Sequence, residues 1–295
     1  MRRIVRLFTV IALLLATSAA PRGQAVAVGP DDSTVYFAVI GDFGTASRQQ
    51  LETAQMLVKT RERFPYTFVL TVGDNLYGGE SPQDFLRKFQ LPYKALLEKN
   101  IPFYASLGNH DDPLQRNYRY FNMGGERYYS FRKGPVQFFA LDSTYMSPEQ
   151  IAWFDRELGK SDAPWKISYH HHPMYSSGKR HGAELDLRRV VEPLLIKHHV
   201  QVVFTGHEHF YERYSVQNGV QHFITGAAGQ LRPNNIARTK DTASGFDSDN
   251  SFMVAKVSGD ELYFESISRA GAIVDAGIVS RQGGTRAVSP TSPKQ

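Results

Sequence analysis

Residues 204–214 read FTGHEHFYERY. A short apolar run, QVVFT at 201–205, ends in Gly206, and two imidazoles follow at His207 and His209 with one residue between them. The run is the length and composition of a buried strand. In extended chain, alternate side chains leave on opposite faces. If the chain turns after Gly206, both imidazoles can instead reach one centre or two adjacent ones.

The same grammar recurs upstream. TVYFAVI (34–40), YTFVLTV (66–72), IPFYASL (101–107), VQFFALD (136–142) and WKISYH (165–170) all read as buried strands. VIGDFG ends the first with Asp42, and LTVGDNLY ends the second with Asp74 and Tyr77. SLGNHD ends the third with Asn109, His110 and Asp111, and SYHHHP ends a later one with His170, His171 and His172. Gly41, Gly73, Gly108 and Gly206 precede these polar groups, where a strand must turn sharply. Ligands in α/β sheets gather beyond the carboxyl ends of strands, so five strands deliver carboxylate, phenol, amide and imidazole groups to one rim.

Helical patterns lie between the strands, over Ser47–Phe64, Pro82–Lys99, from Ser147 towards Leu158, and over Leu185–His199. Alternation of this kind predicts an α/β domain built around sheets. Beyond residue 210 the pattern changes to strands, in YERYSV, VQHFIT, SFMVAKV, ELYFESI and AIVDAGIV. The polar, glycine-rich stretch 226–250 reads as a long loop, and 282–295 as a disordered tail. No linker divides the body, which predicts one domain over about 33–281.

Bulk properties narrow the chemistry. The chain has 295 residues, is 41% hydrophobic and carries a formal charge of +5. Arg2, Arg3, Arg6 and Arg22 account for four of those charges within a 25-residue opening free of Asp and Glu, leaving +1 on the rest. A near-neutral body gives no reason to expect nucleic-acid or membrane-surface partners. The opening itself has a cationic start, an apolar run and then small residues, the layout of a secretory leader spanning about 1–25. Arg2-Arg3 is also compatible with a twin-arginine leader, though the residues after it fit that signal weakly. The mature protein is therefore expected to be exported, periplasmic or secreted. With no cysteine in the sequence, thiolate metal sites and cysteine nucleophiles are excluded.

The oxygen and nitrogen ligand set, without sulfur, suits iron, zinc or manganese. It is too large for one four-coordinate ion and about right for two metals sharing a carboxylate. The ordered blocks GDFG, GDNLY, GNHD, HHP and GHEH resemble the metallophosphoesterases of the calcineurin-like superfamily, and specifically the purple acid phosphatases. RYYSF (127–131), FFALDS (138–143) and GHEHFYER (206–213) add to the likeness, which runs from about 36 to 281.

That resemblance implies a four-layer αββα sandwich with mixed sheets. It also implies an acid phosphatase hydrolysing small-molecule phosphate monoesters through a metal-bound hydroxide. Asp42, Asp74, Tyr77 and His209 would hold Fe(III). Asn109, His171 and His207 would hold a divalent iron, zinc or manganese ion, with Asp74 bridging. His171 is chosen from the three consecutive histidines because the family's ligand stands two residues before the proline, here Pro173. His110 and His181 are the candidates for protonating the leaving group, while His170 and His172 are expected to pack around the ligand. Glu208, Tyr211, Glu212 and Arg213 are expected to brace the histidine loop, and Asp142 to do the same at its strand end.

Generic members of the superfamily, the cyclic-nucleotide diesterases among them, usually carry Asp-x-His in the first block. Here Gly44 takes the third position and Tyr77 the compensating place. A phosphodiesterase or nucleotidase on the same fold is the alternative, and a non-catalytic binding descendant a further rival.

Overall fold

The computed structural model describes residues 33–288. The expected leader over 1–25 and the end of the expected tail lie outside the described residues. No helix among the described residues is long and apolar enough to cross a membrane.

Three strands open the chain, β1 (Thr34–Ile40), β2 (Phe68–Val72) and β3 (Phe103–Ser106). They pair in parallel. Four later strands, β11 (Ser251–Ser258), β12 (Glu261–Ser268), β13 (Ile273–Ser280) and β14 (Thr285–Ala287), extend that sheet. They are added antiparallel from the β1 edge, in the order β14-β13-β12-β11-β1-β2-β3. The second sheet uses β4 (Tyr129–Lys133), β5 (Val136–Ala140), β6 (Trp165–Tyr169), β7 (Val202–Thr205), β8 (Tyr211–Tyr214), β9 (Gln221–Thr225) and β10 (Thr242–Phe246). Its order is β10-β8-β9-β7-β6-β5-β4, with a parallel centre of β5, β6, β7 and β9.

Period-two alternation of apolar residues sets the layers. In β1, Phe37 and Val39 point between the sheets, where they meet Phe138, Ile167 and Phe204 of the second sheet. Ala38 and Ile40 point outward and pack beneath Ala54 and Leu57 of helix α1 (Arg48–Thr60). Phe139 and Leu141 on the second sheet's outer face meet helix α4 (Pro148–Lys160) through Phe154 and Leu158, and helix α5 (Leu185–Lys197) through Leu187, Val191 and Leu195. Because every central strand is buried on both faces, the runs read as continuously apolar. The result is the expected four-layer αββα sandwich with mixed sheets.

Three elements differ from the sequence-based expectation. Pro82–Lys99 is not one helix but a turn of α2 (Pro82–Phe85), a π-helical turn over Leu86–Gln90 and a turn of α3 (Lys94–Leu97). Pro92 has no N–H to continue an α-helix, and Leu91 N–H bonds back to the Leu86 carbonyl five residues earlier. The wider turn lets Phe89 reach Phe103, Phe121 and Tyr93 in the core. The stretch 226–250 is not all loop, since β10 pairs with β8 inside it. Part of the stretch expected as a tail is ordered. Thr285–Ala287 pairs with β13 because that edge still offers unpaired backbone groups.

Candidate metal centre

The carboxyl ends of β1, β2 and β3 in one sheet and of β6 and β7 in the other open onto the same rim. Asp42 and Asp74 each follow their strand in the left-handed region, at φ 53° and 50°, and His207 does the same at φ 67°. Three non-glycine residues in that region store backbone strain, typically at functional sites. Asp42 N–H donates to the Gly73 carbonyl (3.0 Å), tying the first two strand ends together. Glycine is required beside them: a Cβ on Gly108 would stand 2.2 Å from Asp74 Oδ1, and one on Gly206 would stand 2.4 Å from Asp42 Oδ2.

Seven side chains picked from the sequence meet here in two adjoining groups. In the first, Tyr77 Oη donates to Asp42 Oδ1 (3.1 Å) and stands 3.2 Å from His209 Nε2. His209 Nε2 is 3.4 Å from Asp42 Oδ1, and the ligand atoms of Asp42, Asp74 and His209 lie within 4.8 Å of one another. In the second, Asn109 Oδ1 lies 3.1 Å from His171 Nε2 and 3.0 Å from His207 Nδ1, and the two ring nitrogens are 3.2 Å apart. Asp74 joins the halves, with Oδ1 at 3.4 Å from His171 Nε2.

The chemistry of these atoms fits metal cations. His171 Nδ1 lies 2.9 Å from the Val72 carbonyl, which can only accept. Nδ1 therefore donates there, and Nε2 is the ring atom turned towards Asn109 Oδ1 and the Asp74 carboxylate. Asp42 and Asp74 are buried side by side, and among the described residues no lysine or arginine ion pair reaches either. Burial, and then repulsion from Asp74, push Asp42 well above the usual carboxylate range. For Asp74 burial works the same way, but His171, the His110 backbone N–H and Tyr77 outweigh it and the net shift is downward. Burial holds His209 down to about 3 and His207 lower still, so both are neutral imidazoles able to ligate.

His110 and His181 flank this centre. The exposed His110 ring lies 4.9 Å from the Tyr77 ring, and its backbone N–H donates to Asp74 Oδ1 (2.9 Å). The exposed His181 ring lies 4.3 Å from that of His207. The two other histidines of the triplet part company. His170 is wholly buried with neither ring nitrogen hydrogen-bonded. His172 instead groups with His171 and His207, and its Nδ1 lies 2.9 Å from Ser143 Oγ.

Buried carboxylates hold the frame. Asp111 accepts from Asn75 N and Nδ2, Leu76 N, Gly108 N and Gln115 Nε2, pinning the second block to the third. Glu208 accepts from Gly182 N (2.8 Å), His181 N (3.3 Å) and Asn235 Nδ2 (3.0 Å), which fastens the His181 loop to the histidine turn. Glu212 accepts from Ser177 N. Tyr211 and Arg213 bond Asp275 on β13, so they tie the sheets together rather than brace that turn. Asp142 receives Arg127 and the Thr144 and Tyr145 backbone N–H groups, ordering the end of β5.

Sequence reasoning missed Arg232 and Ser143. The Gln230–Arg232 segment is laid on the site by bonds from Gln230 N to the Asp42 carbonyl (2.8 Å) and from Arg232 N to the His209 carbonyl (2.9 Å). Only the placement of 226–250 in space reveals this.

The family model for calcineurin-like phosphoesterases matches residues 35–211. Tartrate-resistant acid phosphatase type 5 of Oryctolagus cuniculus is 24% identical over 245 residues, covering 68% of this chain and 74% of that protein. Purple acid phosphatase 3 of Arabidopsis thaliana is 29% identical over 239 residues, covering 67% of this chain and 64% of its own length. In fold, the chain resembles GAP50, described as the anchor in the inner membrane complex of Plasmodium (TM-score 0.72, 18% identity, 89% of this chain and 90% of that one). It also resembles purple acid phosphatase PPD1 from yellow lupin, Lupinus luteus (TM-score 0.62, 18% identity, 84% and 54%).

Proposed function

The chain belongs to the calcineurin-like phosphoesterase family, and from that premise we propose that it is an exported, purple acid phosphatase-like hydrolase of phosphate monoesters. Asp42, Asp74, Tyr77 and His209 would hold Fe(III), and Asn109, His171 and His207 a divalent iron, zinc or manganese ion. When bound, such a pair supplies an activated water and a Lewis-acid clamp on the phosphoryl oxygens. The reading rests on one observation: seven side chains from five strand ends converge as two donor groups joined by Asp74. Export rests on the leader-like composition of residues 1–25.

The protein's own groups then divide the work. Asp74 fixes the spacing of the two halves. The Val72 carbonyl keeps the His171 lone pair on Nε2. His110 and His181 stand exposed at the two flanks, where a proton can be handed to the departing alkoxide. Arg232, held next to His209 and Glu208, adds positive charge beside the anion.

Gly44 favours a monoesterase over a diesterase. A Cβ there would lie 1.9 Å from the Asn75 carbonyl oxygen, so the histidine that diesterases place at this position has no room. Tyr77 fills the role from the next block, and its N–H donates to the Gly44 carbonyl (2.9 Å). The test is turnover of p-nitrophenyl phosphate against bis(p-nitrophenyl) phosphate, with metal analysis and a visible spectrum. Preference for the monoester and a tyrosinate-to-iron band lost in Tyr77→Phe are expected. Preference for the bis-ester, or no turnover by metal-loaded protein, overturns the reading.

A further inference from the structure

A cavity of 470 Å³ opens directly beyond His172. It lies between the loop after β5 and the first turns of α4 and α5. Ser143 and His172 form the wall next to the metal centre, while Met146, Ile151, Leu187 and Val190 form an apolar surface. His172 is shared by both spaces. Its ring is 4.5 Å from that of His207, it groups with His171 and His207, and its Nδ1 reaches Ser143 Oγ. A group leaving phosphorus at the second metal half therefore has this cavity as its neighbour.

The lining also carries a charge preference. Glu184 and Asp186 stand at the start of α5 and line the cavity. Helix N-termini attract anions, but here both helix starts carry acids in their first turns, Glu149 on α4 and Asp186 on α5. Asp186 is in turn paired with Arg189. Glu184 remains as a carboxylate on the wall, where a second negative charge on the substrate would meet it. The apolar surface is ample for a ring, since an apolar cavity of about 150 Å³ is enough to take benzene.

We infer that this cavity is the leaving-group subsite, taking the uncharged aryl or alkyl alcohol of the monoester and disfavouring alcohols that carry a second anionic group. The inference rests on the monoesterase reading above. Val190 is 39% exposed on α5, so Val190→Trp fills the cavity without emptying the core. In the metal-loaded protein, the ratio of kcat/KM for 2-naphthyl phosphate to that for ethyl phosphate should fall about tenfold. In Glu184→Gln, the wild-type preference for phenyl phosphate over 4-carboxyphenyl phosphate should shrink by about threefold.

If both variants turn over these esters with wild-type ratios, the cavity is not the subsite, and the phosphatase reading stands. If wild-type protein hydrolyses none of these esters, the phosphatase reading falls and the subsite with it. Should Val190→Trp fail to fold, the Glu184→Gln ratio decides alone.

Discussion

Asp74 Oδ1 lies 3.4 Å from His171 Nε2, and the same carboxylate shares a 4.8 Å cluster with Asp42 and His209. One side chain therefore faces both donor groups. Asn109 faces only the second, through His171 and His207. The two residues should fail differently. Asp74→Ala should lower metal content at both positions, whereas Asn109→Ala should weaken only one and leave about one ion per chain. Elemental analysis after dialysis against a weak chelator reads this. Loss of a single ion in Asp74→Ala, as in Asn109→Ala, would show that Asp74 does not join the halves.

His181 makes a separate prediction because its ring touches His207 without entering either donor group. Its loop is fastened through Glu208, which accepts from His181 N and Gly182 N, so shortening the side chain leaves the loop in place. His181→Ala should lower kcat about 100-fold, as loss of a general acid does. The effect should shrink for esters whose leaving group needs no proton, such as p-nitrophenyl phosphate. Metal content should match wild type. A variant that lost its metals, or lost activity equally on all esters, would assign His181 to the frame instead.

Much of the candidate site was readable in one dimension because most of its donors stand just beyond a run of apolar residues. Asp42, Asp74, Asn109, His171 and His207 all lie within three residues of the last residue of a strand. The limits of that grammar are equally physical. After β6 ends at Tyr169, the turn sends His170 into the interior and His172 to the cluster, and neighbouring identical residues give no clue which goes where. Phe85, Phe89 and Leu96 look like one helical face, but Pro92 interrupts the backbone bonding and a π turn re-aims Phe89. Arg232 and Ser143 act through the neighbours that tertiary packing gives them, not through any local pattern. The short pairings of β10 and β14 likewise depend on the edges offered by β8 and β13.

His222 gives a prediction about acid stability that is independent of metal. It is buried on β9, with Nε2 lacking a hydrogen-bond partner, the Tyr175 ring 4.8 Å away, and Arg188 and His170 as its charged or titratable neighbours. Burial first, then the positive charge of Arg188, lower its pKa from 6.5 to about 3. The unfolded chain therefore takes up the proton before the folded one does. The stability contributed by the neutral ring is full above 6.5 and is lost as the pH falls from there towards 3. Between about pH 7.5 and 5 this group alone should remove roughly 2 kcal/mol. His222→Leu removes both the titration and the unpartnered nitrogen, so its unfolding free energy should change less with pH by about that amount. Urea unfolding of chelator-treated protein at the two pH values measures the difference. Parallel pH profiles for variant and wild type would mean that His222 is solvated or protonated in the folded chain, contrary to its burial.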